Sequence, residues 1–362
     1  MTTPTRAAIH ADEKRSLLGM SATVVVLHIV GWGALLLLAL PELSHAGGNG
    51  AVFLGFAVSA YALGVRHAFD ADHIVAIDNA TRRLVSAGRR PVSVGFWFAL
   101  GHSTVVVVTV ALLVVGIDAF AGNLSDGGST LRHVAGLWGA AVSGVFLILM
   151  GALNLSALRG LRTMLRGVRS GQFVESELDG HLNNRGVINK VLRPVARLVD
   201  TPRKMYPVGL LFGLGLDTAA SISLLVTGGV LTPNLPWYAV FILPILFTAG
   251  MALFDSADGI LMNRVYHWAS VDPYRKVHYN LIVTGVSVFV AFFVGGMGLM
   301  SVATDLGIGN GALDVFAAVD LNLLGETLIG VFAFIWISAA LWRRGRPIQP
   351  PTSLALIEPR TR

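Results

Sequence analysis

The chain has 362 residues, 54% of them hydrophobic and only 13% charged, with a mean hydropathy of +0.68. Soluble proteins carry about 25% charged residues, and a soluble fold of this length could not bury so much apolar surface, so the composition is that of an integral membrane protein. The absence of cysteine excludes disulfides, Fe–S clusters and thiolate metal sites, and the net charge of +6 matters less than where its Lys and Arg fall.

Eight apolar stretches are long enough to cross about 30 Å of hydrocarbon, which predicts an all-α bundle of eight transmembrane helices. Residues 1–16 read as a polar tail. Span 1 (17–40) carries His28 and no Asp, Glu, Lys or Arg, and it is too long for the apolar core of a signal peptide. Span 2 (51–78) holds Arg66, His67, Asp70, Asp72, His73 and Asp78, and span 3 (93–117) holds His102. Span 4 (133–155) is followed by a basic segment, 156–205, expected to lie as a loop against anionic headgroups. Span 5 (206–230) carries Asp217, span 6 (237–261) Asp255 and Asp258, and span 7 (277–303) no acidic residue. Span 8 (319–342) carries Asp320 and Glu326, and residues 343–362 form a second tail. The loop divides the chain into two four-helix halves, 17–155 and 206–342. GVRHAFDADH in span 2 is faintly like GLGLDTAAS in span 5, and FALGHS in span 3 like FTAGMA in span 6, a mark of duplication common in transporters.

Orientation follows from the basic residues. With the N-terminus in the cytoplasm, 25 of the 27 Lys and Arg fall inside, leaving Arg132 outside and Arg66 within span 2. Both termini are therefore expected in the cytoplasm of a cell-membrane protein. Trp32, Trp97, Trp138, Trp237, Trp268 and Trp342 lie mostly near span ends and read as interfacial anchors, and His45, His133, His181, His267 and His278 as solvated.

A carboxylate or Arg near the centre of a span costs about 2.5–3.5 kcal/mol on insertion scales. So many must face an internal, hydrated or metal-filled site. On a continuous helix at 100° per residue, His67, Asp70 and His73 share one face, Asp78 returns to it and Asp72 points elsewhere. Imidazole with carboxylate suits a borderline divalent ion such as Ni²⁺, Co²⁺ or Zn²⁺, whereas Mg²⁺ and Ca²⁺ prefer oxygen and Cu⁺ sulfur. A second carboxylate could orient a His through its other ring nitrogen. The alternative is an internal hydrogen-bond network without metal. His102, followed by Ser103 and Thr104, reads equally as a packing hydrogen-bonder, and Asp217, Asp255 and Asp258 sit beside small residues that let helices approach.

RHAFDADHI (Arg66 to Ile74) resembles the signature of the nickel/cobalt transporter family, eight-span uptake permeases of bacteria and some fungi. LGHSTVV in span 3, MYPVGLLFGLGLDTA in span 5, AGMALFDSADG in span 6 and HYNLIVTGVSV in span 7 continue the likeness in order, as does the Gly- and aromatic-rich run of span 8. The resemblance implies that His67, Asp72 and His73 handle the ion with Asp70 beside them. It places His102, Asp217, Asp255 and Asp258 at the other charged motif positions. It also implies that His28 and Phe69 set ion preference, a His–Phe pair accepting both cobalt and nickel; His28, halfway along span 1, is a further candidate nitrogen donor. Two departures stand out: Ser221 occupies the position of a usual Glu, and Glu326 that of a usual aromatic.

The expected function is secondary-type uptake of Ni²⁺ and Co²⁺, with the metal as cargo and no resident cofactor. No G-x4-G-K-[ST] loop occurs, so neither ATP hydrolysis by that route nor an ATPase subunit is implied, and nothing points to nucleic acid. An exporter of related architecture is the alternative, but such exporters tend to carry a His-rich loop and 156–205 holds only His181. A membrane metalloenzyme would need many His boxes or H-E-x-x-H, and neither occurs.

Overall fold

The computed structural model describes residues 6–45, 49–89, 91–114, 130–169, 199–215, 236–268 and 273–308. Among these the secondary structure is helical, with no strand. Helix α1 (Arg6–Ala34) passes through a π-helical turn (Leu35–Ala39) into α2 (Leu40–His45). Then follow α3 (Gly50–Ala68), α4 (Ala71–Ser86), α5 (Val94–Val114) and α6 (Thr130–Arg169). Short 3₁₀ turns, Pro202–Lys204 and Trp237–Phe241, lead into α7 (Met205–Phe212) and α8 (Ile242–Trp268), and α9 is Pro273–Asp305.

Six stretches of the described residues are long and apolar enough to cross a membrane: Asp12–His45, Gly50–Ala68, Val94–Leu112, Leu137–Ser156, Trp237–Arg264 and Thr284–Asp305. They fall on expected spans 1–4, 6 and 7, and the chain is a multi-pass α-helical membrane protein. Span 5 is described as far as Gly215; span 8, Asp217, Asp320 and Glu326 lie outside the described residues. Leu18, Ile29 and Leu37 of the first stretch are more than 60% exposed, an apolar surface suited to lipid rather than water.

The structure corrects four details of the sequence reading. Helix begins at Arg6, so most of the expected tail continues span 1, in keeping with its Ala, Glu, Lys and Arg content. α6 runs on to Arg169 into the expected loop, because Leu158, Leu161 and Leu165 recur at helical spacing between arginines. Arg82, counted with the loop charges, is 6% exposed within α4. Most consequentially, span 2 is not one helix. Phe69 (φ −92°, ψ 2°) and the extended Asp70 (φ −64°, ψ 141°) break it, and Asp70 takes the N-cap position of α4. The face calculated for a continuous helix is therefore replaced by a corner between two helices.

α3 packs on α8, α7 on α5, α5 on α8, and α6 on α9. The first two crossings are reciprocal. A side chain at Gly64 would collide with the carbonyl of Phe247, and one at Gly209 with that of Phe98. Gly250 likewise meets Tyr61, and Gly101 meets Tyr206. The helix ends match too: Phe69 and Asp70 donate backbone N–H to Arg66 and His67 (2.9 and 3.1 Å), as Leu214 and Gly215 do to Leu211 and Phe212 (3.4 and 3.0 Å). Tyr61–Asp70 thus corresponds to Tyr206–Gly215. The repeat joins span 2 to span 5 and span 3 to span 6, a unit that does not follow the four-plus-four division. One apolar cluster holds Phe53, Leu243 and Phe247, a second Phe98, Leu147 and Phe212. The polar site lies where they meet.

Candidate metal centre

The corner between α3 and α4 brings three imidazoles together. His67 ends α3, His73 lies in the first turn of α4, and His102 comes from α5; they are 6%, 1% and 2% exposed. Their ring centroids form a near-equilateral triangle, 4.7 Å for His67–His73, 4.7 Å for His67–His102 and 4.8 Å for His73–His102. One nitrogen of each lies within 4.8 Å of one nitrogen of the others. His67 Nε2 and His102 Nε2 are 3.0 Å apart. Two nitrogens held at about 2.1 Å from one ion and at a right angle would be about 3.0 Å apart. The contact is a hydrogen bond between the two rings, and its length is also compatible with an ion taking the place of the shared proton.

Carboxylates stand behind two of the rings. Asp70 Oδ2 is 2.7 Å from His67 Nδ1, and Asp255 Oδ2 of α8 is 3.4 Å from His73 Nδ1. His73 Nδ1 and Asp255 face each other without forming a hydrogen bond, whereas His67, donating from Nδ1 to Asp70, keeps its lone pair on Nε2. This is the orientation that metal-ligating histidines usually have. Asp255 is fully buried and neither of its oxygens receives a hydrogen bond. A buried carboxylate left so is costly unless a cation or proton accompanies it. The helix break adds to the polarity, because it sets the electronegative end of α3 beside the imidazoles while the N-terminus of α4 faces Asp70 and Asp72.

The other expected residues are placed as follows. Asp72, half-buried, accepts the backbone N–H of His73 at 3.0 Å. Asp255 lies within electrostatic reach of Asp70, Asp72 and Asp258, and Asp258 within that of Asp78. These five carboxylates come from α4, its N-cap and α8. Asp78 is buried, with Oδ1 3.9 Å from Arg82 Nη2. The Arg82 fork donates to Thr284 Oγ1 (2.7 Å) and Ser287 Oγ (2.8 Å) of α9. His28 is not part of the imidazole group: Nδ1 faces the Val24 carbonyl at 2.8 Å and Nε2 the Tyr61 hydroxyl at 3.2 Å. Phe69 turns its ring to Phe254 of α8, 5.1 Å away.

Residues that the sequence reading passed over complete the enclosure. Phe98 stands edge-on to His73 (4.8 Å, 87°), and Phe247 packs on His67 (5.8 Å); both are fully buried. They occupy equivalent places in the repeat, the first Phe of FALGHS and of FTAGMA, which was their only signal. Asn79 and Asn154 join α4 to α6, Asn154 Nδ2 donating to Asn79 Oδ1 at 2.6 Å.

A family model described as high-affinity nickel-transport protein matches residues 53–342. The chain is 46% identical over 330 residues to the nickel transporter NicT of Mycobacterium tuberculosis, covering 90% of this chain and 88% of that protein. It is 36% identical over 341 residues to the nickel transporter NixA of Staphylococcus aureus (93% and 97% covered). It is also 39% identical over 344 residues to the cobalt transport protein NhlF of Rhodococcus rhodochrous (92% and 94% covered). No solved structure matches. With four-fifths of its length under that model and such coverage of whole relatives, the chain belongs to the high-affinity nickel-transport family.

Proposed function

We propose that the chain is a secondary permease that carries Ni²⁺ and Co²⁺ across the cell membrane into the cytoplasm, with His67, His73 and His102 as ligands. The observation that carries this reading is the buried imidazole triangle, its nitrogens within 4.8 Å of one another and two of its rings backed by carboxylates. Imidazole selects borderline divalent ions over Mg²⁺ and Ca²⁺. The names of NicT and NhlF support nickel and cobalt as the ions. The metal is cargo, and no resident cofactor or ATPase partner is invoked.

In this reading Asp70 and Asp255 orient His67 and His73, while Asp72, Asp258 and Asp78 offer oxygen contacts along the route. Asp217 belongs to the same route by family resemblance. The ion exchanges its water shell for the three imidazoles at the helix corner, and movement of the repeated units exposes the corner to each side in turn. The eight-span topology with both termini in the cytoplasm belongs to the same proposal. A divalent ion entering down the membrane potential gains roughly 4.6 kcal/mol per 100 mV.

The test is accumulation of ⁶³Ni²⁺ and ⁵⁷Co²⁺ by cells expressing the chain, alongside release from preloaded cells. Faster accumulation of both ions supports uptake. Faster release with reduced accumulation would make the chain an exporter, and no change in either direction would remove the transport reading.

A further inference from the structure

A cleft of about 840 Å³ opens between residues 12–23 of α1 and the start of α5, bounded on a third side by residues 201–203. Its lining is graded. Asp12, Arg15 and Arg203, all exposed, stand at the mouth, and Met20, Phe96 and Leu100 lie further in. At 1.5 Å per residue Met20 is about 12 Å beyond Asp12 along α1. The apolar stretches able to cross a membrane begin at Asp12 on α1 and Val94 on α5. With the apolar run of span 1 starting at Leu17, length and composition put the polar mouth on the headgroup side of the cleft and the apolar floor on the hydrocarbon side. The Arg203 guanidinium lies over the Trp97 ring, 5.9 Å from its centroid, which holds that charge at the mouth.

We propose that this cleft binds one anionic glycerophospholipid, its phosphate between Arg15 and Arg203 and one acyl chain along Met20, Phe96 and Leu100. Three features favour this occupant. A soluble anion would leave the apolar floor unfilled. Two guanidiniums against the single carboxylate of Asp12 give the mouth a net positive charge, and guanidinium pairs well with phosphate oxygens. Basic pockets between membrane helices at the headgroup level are suited to anionic headgroups. The lipid would brace the start of α1, whose main packing is on α8, against α5. None of the three imidazoles of the metal centre lines the cleft.

Trp97 lines the cleft and serves as its own reporter. The full chain, purified in mild detergent, is titrated with brominated phosphatidylglycerol or brominated phosphatidylcholine, and the Trp97 signal is taken as the difference from Trp97→Phe. Quenching is expected to saturate, and at about fivefold lower concentration for phosphatidylglycerol, as one net charge near the surface implies. Arg15→Gln with Arg203→Gln should abolish that preference. Gly19→Leu should abolish the quenching by both lipids, because Gly19 lines the cleft and a Cβ there meets nothing within 4 Å, so the side chain fills the space without disturbing the helix. Equal quenching by the two lipids, a preference that survives the double substitution, or quenching unaffected by Gly19→Leu would each overturn the proposal. Should the double variant fail to insert, Gly19→Leu decides the matter alone.

Discussion

His67 and His102 stand 35 residues apart in the chain, yet their Nε2 atoms are 3.0 Å apart in the core. The helix break after Ala68 makes this possible. It ends α3 with His67 facing α5 and restarts the chain so that His73 closes the triangle from the other side.

His102 is thereby raised from a packing residue to an equal of the other two imidazoles. His102→Ala is expected to lower nickel uptake at limiting concentration by more than about 100-fold, the upper end of what loss of a residue behind a ligand costs. His67→Ala and His73→Ala should match it, and His133→Ala, at an exposed position, should leave uptake unchanged. Initial uptake rates normalised to protein in the membrane check this.

Asp70→Asn and Asp255→Asn keep the shape of each side chain and remove the charge behind His67 and His73. Each should raise the KM for nickel by about 10- to 100-fold. Asp70 makes no side-chain cap bond to α4, so loss of helix would not account for the effect. Saturation curves with the two ions distinguish a raised KM from a lower amount of folded protein.

Much of the helical frame was legible in the sequence because apolar runs of membrane length have few other meanings. The same runs hid the break in span 2, since Phe69-Asp70 contains neither Gly nor Pro. The one local signal was Asp70, a residue type favoured at N-caps, standing before Ala71-Asp72-His73. His67, Asp70 and His73 could be grouped from their spacing, although by a helical face that the chain does not have. His102 and Asp255 could not be joined to them from spacing, because their meeting depends on α5 and α8 crossing. Arg82 read as a loop charge because its partners Thr284 and Ser287 lie more than 200 residues away.

The reciprocal crossings give a prediction about packing. Gly64→Ala and Gly209→Ala force a Cβ against the Phe247 and Phe98 carbonyls, and each should destabilise the fold by about 1–3 kcal/mol, as overpacking does. Gly55→Ala, on the same helix as Gly64 but with open space before it, should be neutral or slightly stabilising. Thermal unfolding of the detergent-purified variants reads the difference.

Ion preference should respond to residues outside the imidazole triangle. His28 is engaged with Tyr61 and Phe69 with Phe254, so both act on how α1, α3 and α8 approach. His28→Asn combined with Phe69→Val is expected to cut ⁵⁷Co²⁺ uptake more than ⁶³Ni²⁺ uptake. Equal loss of both ions, or loss of nickel alone, would show that these positions do not set preference.

Whether three imidazoles hold the ion can be read from nickel K-edge X-ray absorption of the purified, nickel-loaded chain. The expected spectrum shows imidazole scattering from about three nitrogens at about 2.0–2.1 Å from the ion, the range for metal–imidazole bonds, with one imidazole fewer in His102→Ala. A first shell of oxygen without imidazole scattering, or a spectrum unchanged by His102→Ala, would contradict it.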